Sequence, residues 1–231
     1  VAANGAVTLT IKVTNSSGAG LSGYPVAISV DSKSFATSTG GLTANAYTDS
    51  NGDASATIWA KTIGTSTVTV TSAGKSASVT YTVIAGTHRV LSVDAATVSM
   101  APSESKRVTA TVKDSFGNVD ADVAVTVAYV GTAGRVASVN GVQTSSCTTN
   151  ENGQCVIEIT SEVAGTGTLT LTMAGGDSAL TVLNDGSSRP ARVLTTSTAV
   201  TISGSSATVN AVKAAQAAAD AATDAASEAI D

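Results

Sequence analysis

The chain carries one long stretch twice, and the first copy reads Thr48-Asp-Ser-Asn-Gly-Asp-Ala-Ser-Ala-Thr-Ile-Trp-Ala-Lys-Thr-Ile-Gly-Thr-Ser-Thr-Val-Thr-Val-Thr-Ser-Ala-Gly74. The second copy runs without a gap from Thr149 to Gly175, 101 residues later, and 11 of the 27 positions are identical. Self-similarity at a fixed period is typical of tandem arrays. The sequence therefore predicts two related units.

Each copy has the pattern of short strands joined by turns. Asn51-Gly52, which returns as Asn152-Gly153, supplies the positive backbone angles of a tight hairpin. The next residues alternate small or apolar side chains with polar ones, which predicts a half-buried strand with Ile58 inward. Ile63-Gly64 then turns the chain into a threonine-rich strand. We expect each unit to end in an antiparallel strand pair with one wet face.

Length and composition agree with two lightly built sandwiches. The 231 residues suffice for two domains of about 100 residues, each with its own core. Aromatic residues make up 3% of the chain and charged residues 13%, which suits short strands with polar outer faces. The net charge of −5 argues against a nucleic-acid partner, and no run approaches the roughly 20 apolar residues of a membrane span.

The order of the predicted strands places the two units at residues 1–85 and 86–184. A strand over 7–13 begins the first unit, and a strand over 108–112 corresponds to it in the second unit. About 20 residues of the second unit precede that strand, whereas six precede it in the first. The first unit is therefore expected to lack its opening strand.

A third unit is expected to begin after the second. Residues 185–205 are predicted to hold a linker and an extra strand, because Arg192-Val193-Leu194 repeats Arg89-Val-Leu91 and alternation continues to Ile202. A subunit could then complete the first unit of its neighbour by strand addition. The simpler alternative is that the missing strand lies upstream of Val1 and that this segment only joins the second unit to the next element.

The last 26 residues, 206–231, change to an alanine-rich composition without Gly or Pro, which predicts a helix. Polar residues stand four apart along one stripe: Gln216, Asp220, Asp224 and Glu228. The rest of the surface is nearly all methyl groups, and we expect self-association through five alanines: Ala215, Ala218, Ala222, Ala225 and Ala229. The alternative is a solvated helical tail.

The only two cysteines, Cys147 and Cys155, flank the second Asn-Gly turn at positions where the first unit has Ala46 and Ala54. Two residues that change together and face each other across a hairpin predict a cross-strand disulfide. Two free thiols are the alternative, and a zinc site is disfavoured because two ligands do not close a tetrahedral shell. A disulfide points to an oxidising compartment, and hence to an extracellular, secreted protein.

No catalytic constellation emerges, so we expect neither an enzyme nor a cofactor. The chain has a single histidine, and no Gly-x-Ser-x-Gly elbow is present to place a nucleophile. Asp49-x-Asn51-x-Asp53 matches the start of a calcium loop, but Ala54 replaces the required glycine and Ala60 the bidentate glutamate. These three residues are therefore a weak calcium candidate, and a turn is favoured.

Trp59 is the one tryptophan, and strict alternation places it on the face opposite Ile58. An exposed Trp often marks a contact surface, which would suit a protein or surface-glycan ligand. The alternative is that a neighbouring loop covers its ring.

The repeated motifs resemble a known class of domain. Thr48-Asp-Ser-Asn-Gly-Asp-Ala and Thr149-Asn-Glu-Asn-Gly-Gln-Cys, each followed by a strand, a glycine turn and a threonine-alternating strand, are similar to bacterial immunoglobulin-like domains of the invasin and intimin type. The resemblance covers about residues 5–184. It implies an all-β fold of two tandem Ig-like β-sandwiches, here followed by the alanine-rich C-terminal helix.

The resemblance implies a place at the cell surface more than a particular role. Such domains serve in stalks of adhesins, surface-layer subunits and phage appendages, and fold alone does not choose among these roles. We expect a structural cell-surface protein that acts as a stalk, surface-layer or filament subunit. The alternatives are an adhesin that binds a ligand on another cell and a phage or virion appendage.

Overall fold

The computed structural model describes residues 1–179, 183–204 and 206–228. Within these ranges the chain forms sixteen β-strands and one α-helix, arranged as two β-sandwiches followed by the helix. The predicted all-β class, with two Ig-like sandwiches and a C-terminal helix, is confirmed.

The first sandwich is built from seven strands. They are β1 (Ala6–Lys12), β2 (Pro25–Val30), β3 (Ser34–Phe35), β4 (Thr43–Tyr47), β5 (Asp53–Ala60), β6 (Gly64–Ser72) and β7 (Lys75–Val83). One sheet has the order β1-β5-β3 and the other β4-β2-β6-β7, and every pairing is antiparallel. The core between the sheets contains Val26, Ile28 and Ile58. These side chains point inward because apolar residues alternate with polar ones along the strands.

The second sandwich has nine strands. They are β8 (His88–Val93), β9 (Thr97–Met100), β10 (Ser105–Asp114), β11 (Ala124–Gly131), β12 (Arg135–Val139), β13 (Ser146–Thr148), β14 (Gln154–Thr160), β15 (Gly165–Met173) and β16 (Thr195–Ile202). The sheets have the orders β12-β14-β10-β8 and β13-β11-β15-β16-β9, and β9 runs parallel to β16. Leu91, Ile157 and Leu171 lie at the centre of the larger of the two cores.

Strands β1 to β7 correspond in order to β10 to β16. The Val13 N–H donates to the Gly52 carbonyl in the first sandwich, and the Val112 N–H donates to the Gly153 carbonyl in the second. Strands β8 and β9 are the additions of the second sandwich. Among the described residues, no strand of the first sandwich holds the position of β8 beside β1.

The repeated Asn-Gly turns connect the two sheets and do not close hairpins. Strands β4 and β5, on either side of Asn51-Gly52, lie in opposite sheets, as do β13 and β14 around Asn152-Gly153. Strands β5 and β6 also lie in opposite sheets. The predicted hairpin and strand pair are therefore wrong. A period of two decides which face of a strand is buried but not which strand lies beside it.

The segment expected to be a linker with a surplus strand belongs to the second sandwich. Its strand β16 pairs antiparallel with β15 and parallel with β9. Thr198, Val200 and Ile202 face the second core and are at most 3% exposed. The prediction that this strand begins a third unit or completes a neighbour is therefore wrong, because both of its edges and its apolar face are already used within its own domain.

Helix α1 runs over Ser206–Glu228. Its described side chains, at residues 211 and 213–223, are all exposed. Gln216 Nε2 donates to Asp220 Oδ1 at 2.9 Å, one turn along the helix, so these two residues form part of the predicted polar stripe. The helix follows β16 directly and extends from the second sandwich.

Candidate functional site

The two sandwiches meet through a five-residue loop of the second one, Asp114-Ser-Phe-Gly-Asn118, which we call the joint loop. Asp114 Oδ1 accepts hydrogen bonds from the backbone N–H groups of Phe116 and Asn118, at 2.8 and 2.9 Å. An aspartate that bonds to the backbone two and four residues ahead fixes a tight turn. The loop is therefore held in shape before it contacts the first sandwich.

Asn118 bridges the two sandwiches. Its Nδ2 donates to the Lys61 carbonyl at 2.8 Å, and its Oδ1 accepts from the Ile63 N–H at 3.2 Å. The same Nδ2 donates to Asp114 Oδ2 at 2.8 Å. The side chain thus binds the backbone of the β5–β6 turn from both ends of its amide. Because Asn118 is only 7% exposed, these bonds are shielded from water and specify one orientation.

Phe116 extends an aromatic cluster across the joint. Its ring centroid lies 6.2 Å from that of Phe35, which in turn stacks on Trp59 at 6.0 Å with an interplanar angle of 15°. Phe116 also packs against a small buried cluster of the first sandwich, formed by Ala3, Ala60 and Val83. Phe35 is 1% exposed. This cluster excludes water from the centre of the joint and adds to the polar contacts of Asn118.

The joint has two further contacts around this centre. Asn184 Nδ2 donates to the Asn4 carbonyl at 2.9 Å, and the Asn184 N–H donates to Asn4 Oδ1 at 3.1 Å. Lys61 Nζ lies 3.9 Å from Asp185 Oδ2. The connecting segment is fixed as well, since the Gly86 N–H donates to Asp114 Oδ2 at 2.8 Å. Contacts therefore surround the connection on several sides.

A charged cluster lies behind the joint loop in the second sandwich. Asp177 accepts a hydrogen bond from the Ser115 hydroxyl at 2.9 Å and pairs with Arg189 and, at 3.9 Å, with Arg89. Arg89, which is 4% exposed, also donates to the Pro190 carbonyl at 2.6 Å. The cluster ties the loop between β15 and β16 to the joint loop.

Electrostatics in this cluster favour the ionised carboxylate. Burial acts to raise the pKa of Asp177, but hydrogen bonds from the Ala179 N–H and the Ser115 hydroxyl, with the charges of Arg189 and Arg89, outweigh burial and place the pKa below its ordinary value. The folded protein therefore stabilises the ionised form of Asp177 relative to the protonated form.

Trp59, predicted to lie outward, is on the face opposite the buried Ile58 but is partly buried. Its ring is stacked on Phe35, inside the aromatic cluster of the joint. The structure thus favours the covered alternative over an open contact surface.

The residues of the weak calcium candidate form a turn. Asp49 Oδ1 accepts the backbone N–H groups of Asn51 and Asp53, at 2.8 and 2.9 Å, while the Asp53 carboxylate pairs with Lys12 at 3.1 Å. The backbone hydrogen bonds from Asp53 and Asn51 hold the pKa of Asp49 below its usual value. Asn150 accepts the equivalent pair of bonds in the second sandwich, so a neutral side chain fills the same role there.

The other predicted interaction residues make their contacts within the second sandwich. Arg192 Nη2 donates to the Gly175 carbonyl at 2.6 Å, the Val193 carbonyl accepts from the Leu91 N–H, and the Leu194 carbonyl accepts from the Met173 N–H. Ile202 is buried. These residues close their own domain, as described for β16.

The predicted association face of the helix is only partly described. Ala215, Ala218 and Ala222 are exposed. Ala225 is in the helix, but its side chain is outside the described part, and Ala229 lies outside the described residues. In the part of the chain that the structure describes, no helix is both long and apolar enough to cross a membrane.

The predicted disulfide is confirmed between Cys147 and Cys155. It does not join paired strands, because β13 and β14 belong to opposite sheets. The bond therefore crosses the core of the sandwich, next to the turn that connects the two sheets.

Sequence comparison finds no family model and no curated protein that matches the chain. Among solved structures, the chain is similar to invasin, a bacterial integrin-binding protein, with 21% identity and a TM-score of 0.38 over 88% of this chain and 37% of that one. It is similar to InvD of Yersinia pseudotuberculosis, with 14% identity and a TM-score of 0.49 over 86% of this chain and 52% of that one.

A third similar structure is FdeC, an adhesin of Escherichia coli, with 23% identity and a TM-score of 0.49 over 88% of this chain and 60% of that one. The chain therefore spans 37 to 60% of the length of these three structures. Invasin and intimin, whose domains the repeated motifs resemble, are both among the matched structures.

Proposed function

We propose that the chain is a structural module of a cell surface, in which two Ig-like sandwiches form a stiff spacer. The observation that carries this proposal is the buried amide of Asn118, which binds the Lys61 carbonyl and the Ile63 N–H of the other sandwich. A flexible tether needs no such contact. Two domains are expected to move relative to each other unless the interface between them is extensive. The interface between these two sandwiches combines hydrogen bonds, an ion pair and an aromatic cluster.

The disulfide supports a location outside the cytoplasm. Disulfides form and persist in oxidising compartments, such as the extracellular space and the cell envelope. The bond between Cys147 and Cys155 is structural, since Cys155 is fully buried and Cys147 nearly so. A spacer that works at a cell surface would be made and kept under these conditions.

Association through α1 fits the same function. Alanine-rich helices are marginal alone in water, and every described side chain of α1 is exposed. Small alanine side chains let helix backbones approach closely, so contact between copies would stabilise the helix and gather the spacers. A stalk, surface-layer or filament subunit needs such a contact.

The adhesin alternative is weaker on this geometry. Its binding surface was expected around Trp59 or at the domain tips, and the ring of Trp59 is half-buried and stacked on Phe35 at the joint. The described residues include four tyrosines, of which Tyr47 is the most exposed at 70%. Tyr24 is the other exposed tyrosine, at 38%, and these two rings give a smaller basis for a binding platform than the predicted open surface around Trp59.

The test is the stiffness of the joint. The double variant Phe116→Ala/Asn118→Ala loses the central contacts of the joint. We therefore expect its small-angle X-ray scattering to fit a broad distribution of overall shapes, whereas the wild-type curve fits one defined shape. Each truncation removes about 1 to 3 kcal/mol of interdomain stabilisation. Residual dipolar couplings measured on both sandwiches should require one alignment tensor in the wild type and two in the variant.

A matched control truncates the same two kinds of side chain, one aromatic and one amide, at exposed positions away from the joint. The variant Tyr47→Ala/Asn152→Ala removes an exposed aromatic ring and an exposed amide, and it should leave the scattering curve unchanged. A wild-type chain that already needs two alignment tensors would contradict the spacer function.

A further inference from the structure

The first sandwich has an open seam between its two sheets. Among the described residues, β1 pairs only with β5, and it forms the edge of its sheet. Because the Val13 N–H donates to Gly52 and hydrogen bonds alternate along an antiparallel strand, the backbone groups of Thr10 and Lys12 face the open edge. Strand β7 forms the edge of the opposite sheet.

The core of the first sandwich is exposed along this seam, whereas the same positions of the second sandwich are closed. Leu9 of β1 and Val13, the residue that follows this strand, are only half-buried, while their counterparts Val108 and Val112 are 0% exposed. The difference is largest on β7, where Val79 is 48% exposed and its counterpart Thr198 is 0% exposed. The seam therefore exposes apolar surface to water, although the second sandwich buries the same positions.

A groove of about 480 Å³ occupies the seam. Apolar side chains from both sheets line it, including Leu9, Ile11, Val70 and Val79. Its rim consists of the unpaired edges of β1 and β7. A groove with an apolar floor and two strand edges is suited to an extended peptide, since main-chain bonds give affinity and alternate side chains fill the floor.

The second sandwich shows how such a seam is closed. Strand β8 pairs antiparallel with β10 and inserts Leu91, which is 1% exposed, into the core. The chain then crosses to the other sheet, where β9 pairs parallel with β16 and buries Val98. One segment of thirteen residues, from His88 to Met100, thus covers both edges.

We propose that the seam of the first sandwich is a strand-acceptor site for an extended peptide with the chemistry of the segment from His88 to Met100. The occupant has apolar side chains at alternate positions, binds antiparallel along β1 and then parallel along β7. Its carbonyl groups and N–H groups pair with those of Thr10 and Lys12. Its apolar side chains cover Leu9 and Val79.

The direction of the occupant is set by a short remnant of the same pairing. Ala2 forms a parallel bridge with Ile84, and the Ile84 N–H donates to the Val1 carbonyl at 2.9 Å. The equivalent bond in the second sandwich joins the Ser203 N–H to the Met100 carbonyl. Val1 therefore holds the place of Met100, and the carboxyl end of the occupant lies next to Val1.

The first test places this chemistry in the seam. A copy of residues 88–99 is fused directly before Val1 of the full chain, and amide hydrogen exchange is measured at Thr10 and Lys12. We expect exchange at both amides to slow about tenfold or more, because they gain partners and leave the solvent. The matched control carries Leu91→Asp and Val98→Asp in the fused copy alone, and its exchange should equal that of the unfused chain.

The second test does not depend on the folding of a fusion. A synthetic peptide of residues 88–99 is added to the unfused chain, and the same two amides should slow as its concentration rises. Unchanged exchange at Thr10 and Lys12 in both tests would overturn the proposal. Protection that instead grows with the concentration of the unfused chain alone would assign the seam to a second copy, and it would also overturn the stated occupant.

Discussion

At the scale of single residues, Asp114 shows how one side chain shapes the loop that contacts the other domain. One oxygen fixes the joint loop, and the other accepts bonds from Asn118 Nδ2 and the Gly86 N–H. Its counterpart Asn15 fixes the equivalent loop of the first sandwich in the same way, by accepting the N–H groups of Ser17 and Ala19. That loop is exposed, so the turn is common to both units while the joint is specific to the second.

The sequence contained a signal for the joint that pattern reading missed. The two loops read Asn15-Ser-Ser-Gly-Ala19 and Asp114-Ser-Phe-Gly-Asn118. A large aromatic residue and an amide replace two small residues at an otherwise similar turn. An aromatic residue in a short polar loop has no reason to be there unless another surface covers it, and this comparison would have marked Phe116 and Asn118 as contact residues.

Asp177 makes the second sandwich sensitive to acid. Its folded pKa is below the ordinary carboxyl range of about 4, so its stabilising contribution is fully present above that range and is lost as pH falls through the lowered folded pKa. We expect Asp177→Asn to lower stability at neutral pH, where the charged partners Arg89 and Arg189 lose their carboxylate. The free energy of unfolding, measured between pH 7 and pH 2, should fall less steeply in the variant than in the wild type.

The control for this prediction is Asp49→Asn. The pKa of Asp49 is also lowered, but its side chain is exposed and acts through backbone hydrogen bonds. Asn150 fills the same role in the other sandwich, so this variant should remain close to the wild type at neutral pH. Equal acid slopes for Asp177→Asn and the wild type would contradict the assignment of acid sensitivity to Asp177.

At the scale of elements, the Asn-Gly turns show the limit of strand periodicity. The alternation around Asn51-Gly52 identified two strands and their buried faces, and Ile58 is 1% exposed as expected. It did not identify their neighbours, because the hydrogen bonds of a strand are perpendicular to its side chains and leave no mark on the alternation. The chain therefore arches from one sheet to the other where a hairpin was predicted.

The disulfide is an element-scale lock between the two sheets of the second sandwich. Replacing both cysteines by alanine, as in Ala46 and Ala54 of the first sandwich, should lower the free energy of unfolding by about 2 to 3 kcal/mol, because a short closed loop no longer restricts the unfolded chain. Guanidinium denaturation under oxidising conditions measures this loss. The fold itself should be retained, since the alanine pair is already compatible with the first sandwich.

Reduction of the wild type provides the matched comparison for the alanine pair. Dithiothreitol should shift the wild-type midpoint close to that of Cys147→Ala/Cys155→Ala and leave the midpoint of the variant in place. If reduction left the wild type unchanged, the bond would contribute nothing to the stability of the sandwich.

At the scale of the whole molecule, two coupled sandwiches carry an exposed helix at one end. Asn118 and Phe116 contact the first sandwich at the joint, and the described side chains of α1 take no part in the hydrophobic cores. A helix of this composition has little reason to persist in isolation. We therefore expect the proposed contact between copies to stabilise α1.

This contact is tested by adding charge to the alanine surface. We expect the molar mass from light scattering to rise with concentration in the wild type and to stay at the monomer value in Ala218→Glu/Ala222→Glu, because two carboxylates would be desolvated in the contact. Gln216→Glu adds a charge within the polar stripe and should associate as the wild type does. A wild-type chain that remains monomeric at all concentrations would exclude self-association through α1.

The sequence by itself determined the two-unit plan, the strands with their buried faces, the disulfide partners and the helix. These follow from local propensity, from a period of two and from a repeat, all of which act between residues close in sequence or equivalent in position. The missing opening strand of the first unit was also expected from the sequence. Only the tertiary structure decided which strands pair, that β16 closes the second sandwich and that Trp59 is covered at the joint. These depend on contacts between residues far apart in the chain, such as Asn118 with Lys61 and Phe116 with Phe35, and alternation carries no information about the identity of a distant partner.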